Sequence, residues 1–388
     1  MVPIRYNVRS LFVRKVTTFA TAAGIALVVF VFAAAAMLGE GVNRALGSSG
    51  RPDTVIVLRK GSDAELSSSL TSEALGMLRG NTAVASGAPG GGVIGEVVLV
   101  ITAPLVDDSS KVSNVLVRGM PADGMKFRAE AKIVSGRAPA PGTNEVIVGR
   151  AINGRFKNIT PGKSFELRRN RPLQVVGVFE TGGTSFESEV WGDLDAIRTA
   201  VGRESAVSSA RVRLTSPSAF EGYRAAVEAD KRLNLKVQRE DEYFRSQSEQ
   251  TSQFLSGLGT IIAILFSLAA MIGAAITMNG AVAHRTREIG TLRALGFSKM
   301  AILFSFVLEA IFLSLMGAAI GLVLVQLLQL VTFPTMNFQT FSEIIITFRA
   351  TPQIIVSSLI FSVFMGLLGG MIPAIRASRV SPVEAMRG

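Results

Sequence analysis

Four long apolar runs constrain this chain more than any other feature. Residues 16–39, 250–283 and 350–375 carry no Asp, Glu, Lys or Arg, and residues 300–330 carry one such residue, Glu309. Each run exceeds the roughly 20 residues that a helix needs to cross a hydrocarbon core about 30 Å thick. Four of them in 388 residues, with 48% hydrophobic residues and a mean hydropathy of +0.42, exclude a water-soluble enzyme and a disordered chain. The predicted fold is an α-helical membrane protein with four transmembrane helices plus a large extracytoplasmic α/β domain.

The net charge of +11 would normally suggest nucleic acid, but its distribution argues for a bilayer. Residues 39–253 hold 28 Lys and Arg against 25 Asp and Glu, whereas the remaining residues hold 12 against 4. The excess therefore sits in short segments flanking the apolar runs, and short basic loops stay in the cytoplasm. Arg5, Arg9, Arg14 and Lys15 precede the first run; Arg285, Arg287, Arg293 and Lys299 lie between the second and third; Arg376, Arg379 and Arg387 follow the fourth. Both termini and the loop around Thr291 are expected in the cytoplasm, with the large domain on the far side of the inner membrane, periplasmic or extracellular.

The expected order is an interfacial helix at 1–15, a first span at 16–39, and an outer α/β domain with its stalk at 40–253. A second span follows at 254–281, a cytoplasmic loop at 282–299, a third span at 300–331, a short outer loop at 332–351, a fourth span at 352–375 and a tail at 376–388. The first run is longer than the apolar core of a cleaved signal, so it is read as retained. Inside the outer domain, period-2 apolar patterns predict strands at 53–59, 96–101, 112–119, 209–214 and 235–238, and helical spacing predicts helices at 65–79 and 218–232. Gly, Pro and short strands at 145–149, 164–168 and 173–179 make residues from about 120 to 190 a β-rich insertion.

Few residue constellations carry chemistry. Cysteine is absent and His284 is the single histidine, which excludes thiol nucleophiles and His-cluster metal sites. Gly162-Lys163-Ser164 ends like a phosphate-binding loop, but Lys157 stands where the pattern needs glycine, so a turn is the reading. No other stretch fits such a loop, and neither catalysis nor a cofactor is expected in this chain. Arg168, Arg169 and Arg171 form a basic hairpin tip. Glu309 is an intramembrane carboxylate, a type of group that is costly in lipid and is usually paired or functional. Gly317 and Gly321, and Gly366, Gly369 and Gly370, are small-residue stripes that let helix backbones approach closely, within or between chains. In the loop 284–299, Ile289, Leu292 and Leu295 recur every three residues among charges, giving a short amphipathic helix stopped by Gly296. On these patterns alone, such a helix equally suits an anionic lipid surface or a protein partner.

The segment RTREIGTLRALGFSK resembles the cytoplasmic loop of MacB/FtsX-type ABC transporter permeases, and PAIRASRVSPVEAMR resembles their carboxyl-terminal signature. SGRAPAPGTNEVIVGRAI and ITPGKSFELRRNRPLQVVGVF are similar to segments of their outer core domain. The resemblance implies a permease dimer, or a pair with a related permease, working with a cytoplasmic ABC ATPase dimer that binds ATP and Mg²⁺. It implies that Arg287, Glu288, Gly290, Leu292, Arg293, Leu295 and Gly296 dock on that ATPase as a coupling helix. ATP-driven closure would then move the outer domains, exporting or extruding substrate with an adaptor or effector outside. A non-transporting signal transmitter, activating an outer partner such as a cell-wall hydrolase, is the alternative. MacB carries its ATPase fused ahead of the first span; because this sequence begins with the interfacial helix, a separate ATPase subunit is expected.

Overall fold

A computed structural model describes residues 15–382, with side chains from residue 18 onward. The predicted interfacial helix and the end of the tail, including Arg387, lie outside the described residues. In chain order the elements are α1 (Lys15–Gly47), β1 (Thr54–Arg59), β2 (Leu70–Thr71), α2 (Ser72–Arg79), β3 (Val93–Pro104) and β4 (Val112–Met120). Then come α3 (Gly124–Phe127), β5 (Lys132–Gly136), β6 (Glu145–Gly149), β7 (Ser164–Arg168), β8 (Arg171–Glu180), β9 (Glu189–Asp193) and α4 (Leu194–Ala200). The outer domain closes with β10 (Ala206–Val207), β11 (Ser209–Arg213), α5 (Phe220–Ala229) and β12 (Leu235–Arg239). The remainder is α6 (Glu240–His284), α7 (Thr286–Ala294), α8 (Lys299–Gln326), β13 (Thr332–Met336), β14 (Glu343–Thr347) and α9 (Pro352–Ser378). The chain divides into a helical unit, comprising residues up to Glu40, 253–332 and from 347 on, and an outer unit of residues 41–252 and 333–346.

Among the described residues four helices are long and apolar enough to cross a membrane: 18–47 in α1, α6, 299–330 and α9. Two begin with sequence-readable caps. Ser298 accepts a hydrogen bond from Ala301 N at 3.1 Å to start α8, and Thr351 accepts one from Ile354 N at 3.3 Å with Pro352 at the first helical position of α9. The small residues let the helices meet. A Cβ on Gly317 would fall 2.8 Å from Ala22 O, and one on Gly321 would fall 2.5 Å from Ala26 O, so α8 lies backbone-close to α1. A Cβ on Gly366 would meet Ser314 Oγ at 2.6 Å, one on Gly370 would overlap Ala310, and one on Gly369 would meet Met271 O at 3.3 Å. Helix α9 is thereby seated on α8 and α6. In this chain the stripes bring helices of the same chain together.

In the outer unit, one sheet runs β12-β1-β11-β3-β4-β9-β6-β8-β5, with β7 paired to β8. The strands of the β-rich section, β5 to β9, continue the same sheet through the parallel pairing of β4 with β9. Successive residues of a strand face opposite sides. Val55 and Val57, Val93 and Val97, Val115 and Val117, and Ala210 and Val212 enter one apolar core with Leu78, Tyr223 and Val227 of α2 and α5. The predicted helix at 65–79 is corrected: Glu65–Ser67 is a 3₁₀ turn, Leu70–Thr71 is a strand, and only Ser72–Arg79 is α-helical. Thr71 caps that helix by accepting from Ala74 N, and side-chain capping there ends the extended segment. The second predicted helix begins later than expected, at Phe220, after a 3₁₀ turn at Pro217–Ala219. Residues 332–351, expected as a short loop, contain the β13–β14 hairpin, and residues 333–346 belong to the outer unit. Arg155 pairs with Glu343 of that hairpin.

Candidate functional site

Helix α7 follows α6 after a single residue, Arg285, and ends at Ala294, with Leu295 capping it and Gly296 beyond at φ +95°. Only glycine adopts that conformation without strain, so the sequence forces the chain to turn there. The apolar stripe of α7 divides in two. Ile289 is buried and Leu292 is half-buried against a cluster formed by Met278, Val282, Ile302, Phe306 and Ala374. Leu295 is 73% exposed, and Arg287, Glu288 and Thr291 are exposed as well. Gly290 is buried, and Arg293 donates to Phe297 O at 3.0 Å across the turn. The residues singled out from the sequence therefore form an inner face that packs on the helical unit and an outer face that is exposed.

Arg285 links α7 to a membrane helix. Its Nη1 donates to Glu309 Oε2 at 3.0 Å, its Nε donates to Glu288 Oε2 at 3.2 Å, and its guanidinium lies 5.5 Å from the Phe306 ring centroid. Both Arg285 and Glu309 are 7% exposed. The structure pairs this carboxylate with Arg285, the residue between α6 and α7. Paired burial with hydrogen bonds is the arrangement that makes two charges tolerable in a low-dielectric setting.

The outer unit holds a charged cluster that the sequence did not disclose. On the sheet face opposite the apolar core, Glu96, Arg118, Glu189 and Arg211 are fully or almost fully buried. Arg118 Nε and Nη2 grip Glu189 at 2.7 and 2.8 Å, and its Nη1 donates to Glu96 at 2.7 Å and to Glu65 at 3.1 Å. Arg211 Nη2 donates to Glu65 at 2.9 Å, and Arg128 Nη2 to Glu96 at 2.8 Å. Burial pushes the Glu65 and Glu96 carboxyls up, but the Arg118, Arg211 and Arg128 charges outweigh it and hold both below the usual carboxylate range. Alternating charged and apolar residues in a strand read as a half-exposed strand. Only the covering of the second face reveals that the charged side is interior.

Other features named from the sequence stay apart from these sites. Gly162 and Lys163 lie in the turn before β7, which Ser164 opens, with Gly162 at φ +83°. Arg168 and Arg171 face each other across the β7–β8 turn. His284 ends α6 and is exposed. A largely apolar cleft of about 270 Å³ is lined by Met120, Met125, Pro139 and Trp191. The charged groups on its edge are engaged, Asp193 in capping α4 and Lys126 with Asp123. Among the described residues no group of three His, Cys, Asp or Glu is placed to hold a metal ion.

Four membrane-length apolar helices joined to a mixed α/β domain define a multispan protein with a large domain outside the bilayer. Residues 18–230 match the MacB-like periplasmic core domain, and residues 260–382 match the FtsX-like permease C-terminal region. The chain belongs to the MacB/FtsX-type family of ABC transporter permeases. It is 26% identical over 235 residues to the ABC transporter permease YknZ of Bacillus subtilis (strain 168), covering 56% of this chain and 54% of YknZ. It is 28% identical over 227 residues to the macrolide export ATP-binding/permease protein MacB of Escherichia coli (strain K12), covering 56% of this chain and 34% of MacB. The periplasmic region of MacB from Actinobacillus actinomycetemcomitans aligns at 14% identity and a TM-score of 0.37, covering 53% of this chain and 94% of that one.

Proposed function

We propose that this chain is the permease subunit of an ABC transporter that receives force from a separate cytoplasmic ATPase and passes it to its outer domain. The observation that carries this reading is the two-faced helix α7. Its inner face, with Ile289 and Leu292, packs on the helical unit, and Arg285 at its start is ion-paired to Glu309 in α8. Its outer face, with Arg287, Glu288, Thr291 and Leu295, is exposed. A partner seated on that face acts directly on a helix that is bonded to a membrane span. Because no stretch of the sequence fits a phosphate-binding loop, ATP and Mg²⁺ are assigned to the partner.

Substrate leaves from the outer side, driven by movement of the outer domain. In this reading the termini and α7 face the cytoplasm and the outer unit faces the periplasm or cell exterior, which the distribution of Lys and Arg supports. Two permease chains assemble with two ATPase chains. The small-residue stripes of α8 and α9 are already occupied within the chain.

The test is co-purification of the cognate ATPase with the full chain and with its Leu295→Asp variant in nanodiscs, with ATPase rate as a second readout. The wild type retains the ATPase and stimulates it; the variant does neither. Equal retention and rate in both would mean that α7 only meets lipid.

A further inference from the structure

The buried charged cluster of the outer unit contains one member that differs from the rest. Glu65, Glu96 and Glu189 each accept at least two guanidinium hydrogen bonds. Glu240, 3% exposed, accepts only the Arg51 backbone N–H, at 3.3 Å through Oε2. Its Oε1 lies 3.2 Å from Arg211 Nη1 and 3.6 Å from Arg128 Nη1, close enough for an ion pair, yet neither Oε1 nor Arg211 Nη1 has a hydrogen-bond partner. Attraction without aligned hydrogen bonds tolerates small rotations that a bidentate pair does not.

The position of Glu240 gives this looseness a use. It is the first residue of α6, and Arg51 follows closely on the end of α1. These two helices each extend from the outer unit into the helical unit. Near their outer ends they are tied to each other by Ser248 Oγ donating to Asn43 at 2.6 Å. The end of α1 is tied to the turn before β9 by Ser49 and Ser185, whose hydroxyls are 2.9 Å apart. Gly50 packs so tightly on the Glu240–Asp241 backbone that a Cβ there would overlap it. One carboxylate thus touches the chain leaving α1, begins α6, and faces guanidiniums from β11 and from the segment after α3.

We propose that Glu240 is the positioning residue that locks the parts of α1 and α6 lying in the outer unit to the sheet of that unit. Its service as a transmission joint rests on the function proposed above. The joint itself is measured without ATPase or nucleotide, so the two ideas fail separately.

The sequence contains no cysteine, so introduced pairs are labelled without background. In the full chain in nanodiscs, pulsed EPR reads one distance between labels replacing Glu249 on α6 and Arg59 on β1, and a reference distance between labels replacing Arg59 and Lys163 within the outer unit. All three positions are exposed. The single tryptophan, Trp191, is buried and reports by its emission whether the domain is folded. With Glu240→Gln, the α6–β1 distribution is expected to broaden by about a factor of two, as a loosened local contact does, while the reference distance and the Trp191 emission stay as in the wild type. Glu240→Asp keeps the charge but withdraws it by one methylene and should broaden the distribution less; it also serves if Glu240→Gln does not fold. Unchanged α6–β1 distributions in both variants would overturn the proposal. Broadening of the reference distance as well would also overturn it, because Glu240 would then be supporting the sheet rather than the helix. Wild-type ATPase retention by Leu295→Asp would sink the coupling role of α7 and leave this result standing.

Discussion

Leu292 and Leu295 lie three residues apart on one short helix and have opposite neighbours. Leu292 packs on the helical unit, whereas Leu295 is exposed. Burying a leucine side chain is worth about 1.5–3 kcal/mol. Leu295→Asp should therefore weaken ATPase binding roughly 10- to 100-fold without changing the melting temperature of the chain in detergent. Leu292→Asp should lower that melting temperature, because it places a carboxylate against Ile302 and Phe306. Equal effects of the two on stability would remove the distinction between inner and outer faces. The Arg285–Glu309 pair predicts non-additivity. Glu309→Leu strips a buried charge of a partner and should cost about 3–5 kcal/mol. Arg285→Leu combined with Glu309→Leu should cost less than the sum of the two single variants in thermal unfolding, since the double variant leaves neither charge buried alone. Strict additivity would mean that the pair contributes no coupling.

At the scale of elements, the helices were legible and their partners were not. A charge-free run of more than 20 residues has one low-energy form in lipid, because every backbone N–H and C=O must be bonded within the segment. Thr351-Pro352 and Gly296 announce a helix start and a turn through local chemistry alone. Which helix each glycine meets depends on how four helices pack, and no local pattern encodes it. Gly370→Val should disrupt the helical unit, since Ala310 occupies the space a side chain needs; overpacking of this kind costs about 1–3 kcal/mol or more. Gly280→Ala, at a position where a Cβ meets nothing within 4 Å, should be neutral or slightly stabilising. Thermal unfolding of both variants checks the contrast, and equal losses would contradict the packing described. The strands show the same division. β6 and β7 fall on the predicted residues, because short apolar-alternating runs between turns have little choice. Residues 65–71 were misread as helix because helical spacing continues through them, while burial of Glu65 against Arg118 and Arg211 holds them out of the helix.

For the molecule as a whole, the buried cluster ties the stability of the outer unit to pH. The Glu65 and Glu96 carboxyls titrate lower in the fold than in the unfolded chain, where a glutamate sits near about 4.3. Groups depressed in this way contribute stability fully above the unfolded value and lose it as pH falls through the folded one. The melting midpoint read by Trp191 emission should therefore be level near neutral pH and fall steeply below about pH 4. Glu65→Gln should flatten the acid limb while lowering the midpoint at neutral pH, since it removes a charge that Arg118 and Arg211 face. A wild-type midpoint independent of pH between about 3 and 7 would show that these ion pairs add nothing net.

The sequence by itself determined the four apolar helices, the charge arrangement from which their orientation is inferred, the mixed α/β character of the outer domain and the family. Each of these follows from composition, periodicity or a local motif, and each survives rearrangement of distant contacts. Tertiary structure decided which half of the α7 stripe is exposed, where Glu309 finds its counter-charge, and which helices of the chain the glycines meet. It also decided that the charged face of the strands is interior, gathered around Arg118 and closed by Glu240. These depend on groups far apart in the chain, as Arg118 and Glu189 or Glu65 and Arg211 are, and their energies exist only once the fold brings them together and excludes water.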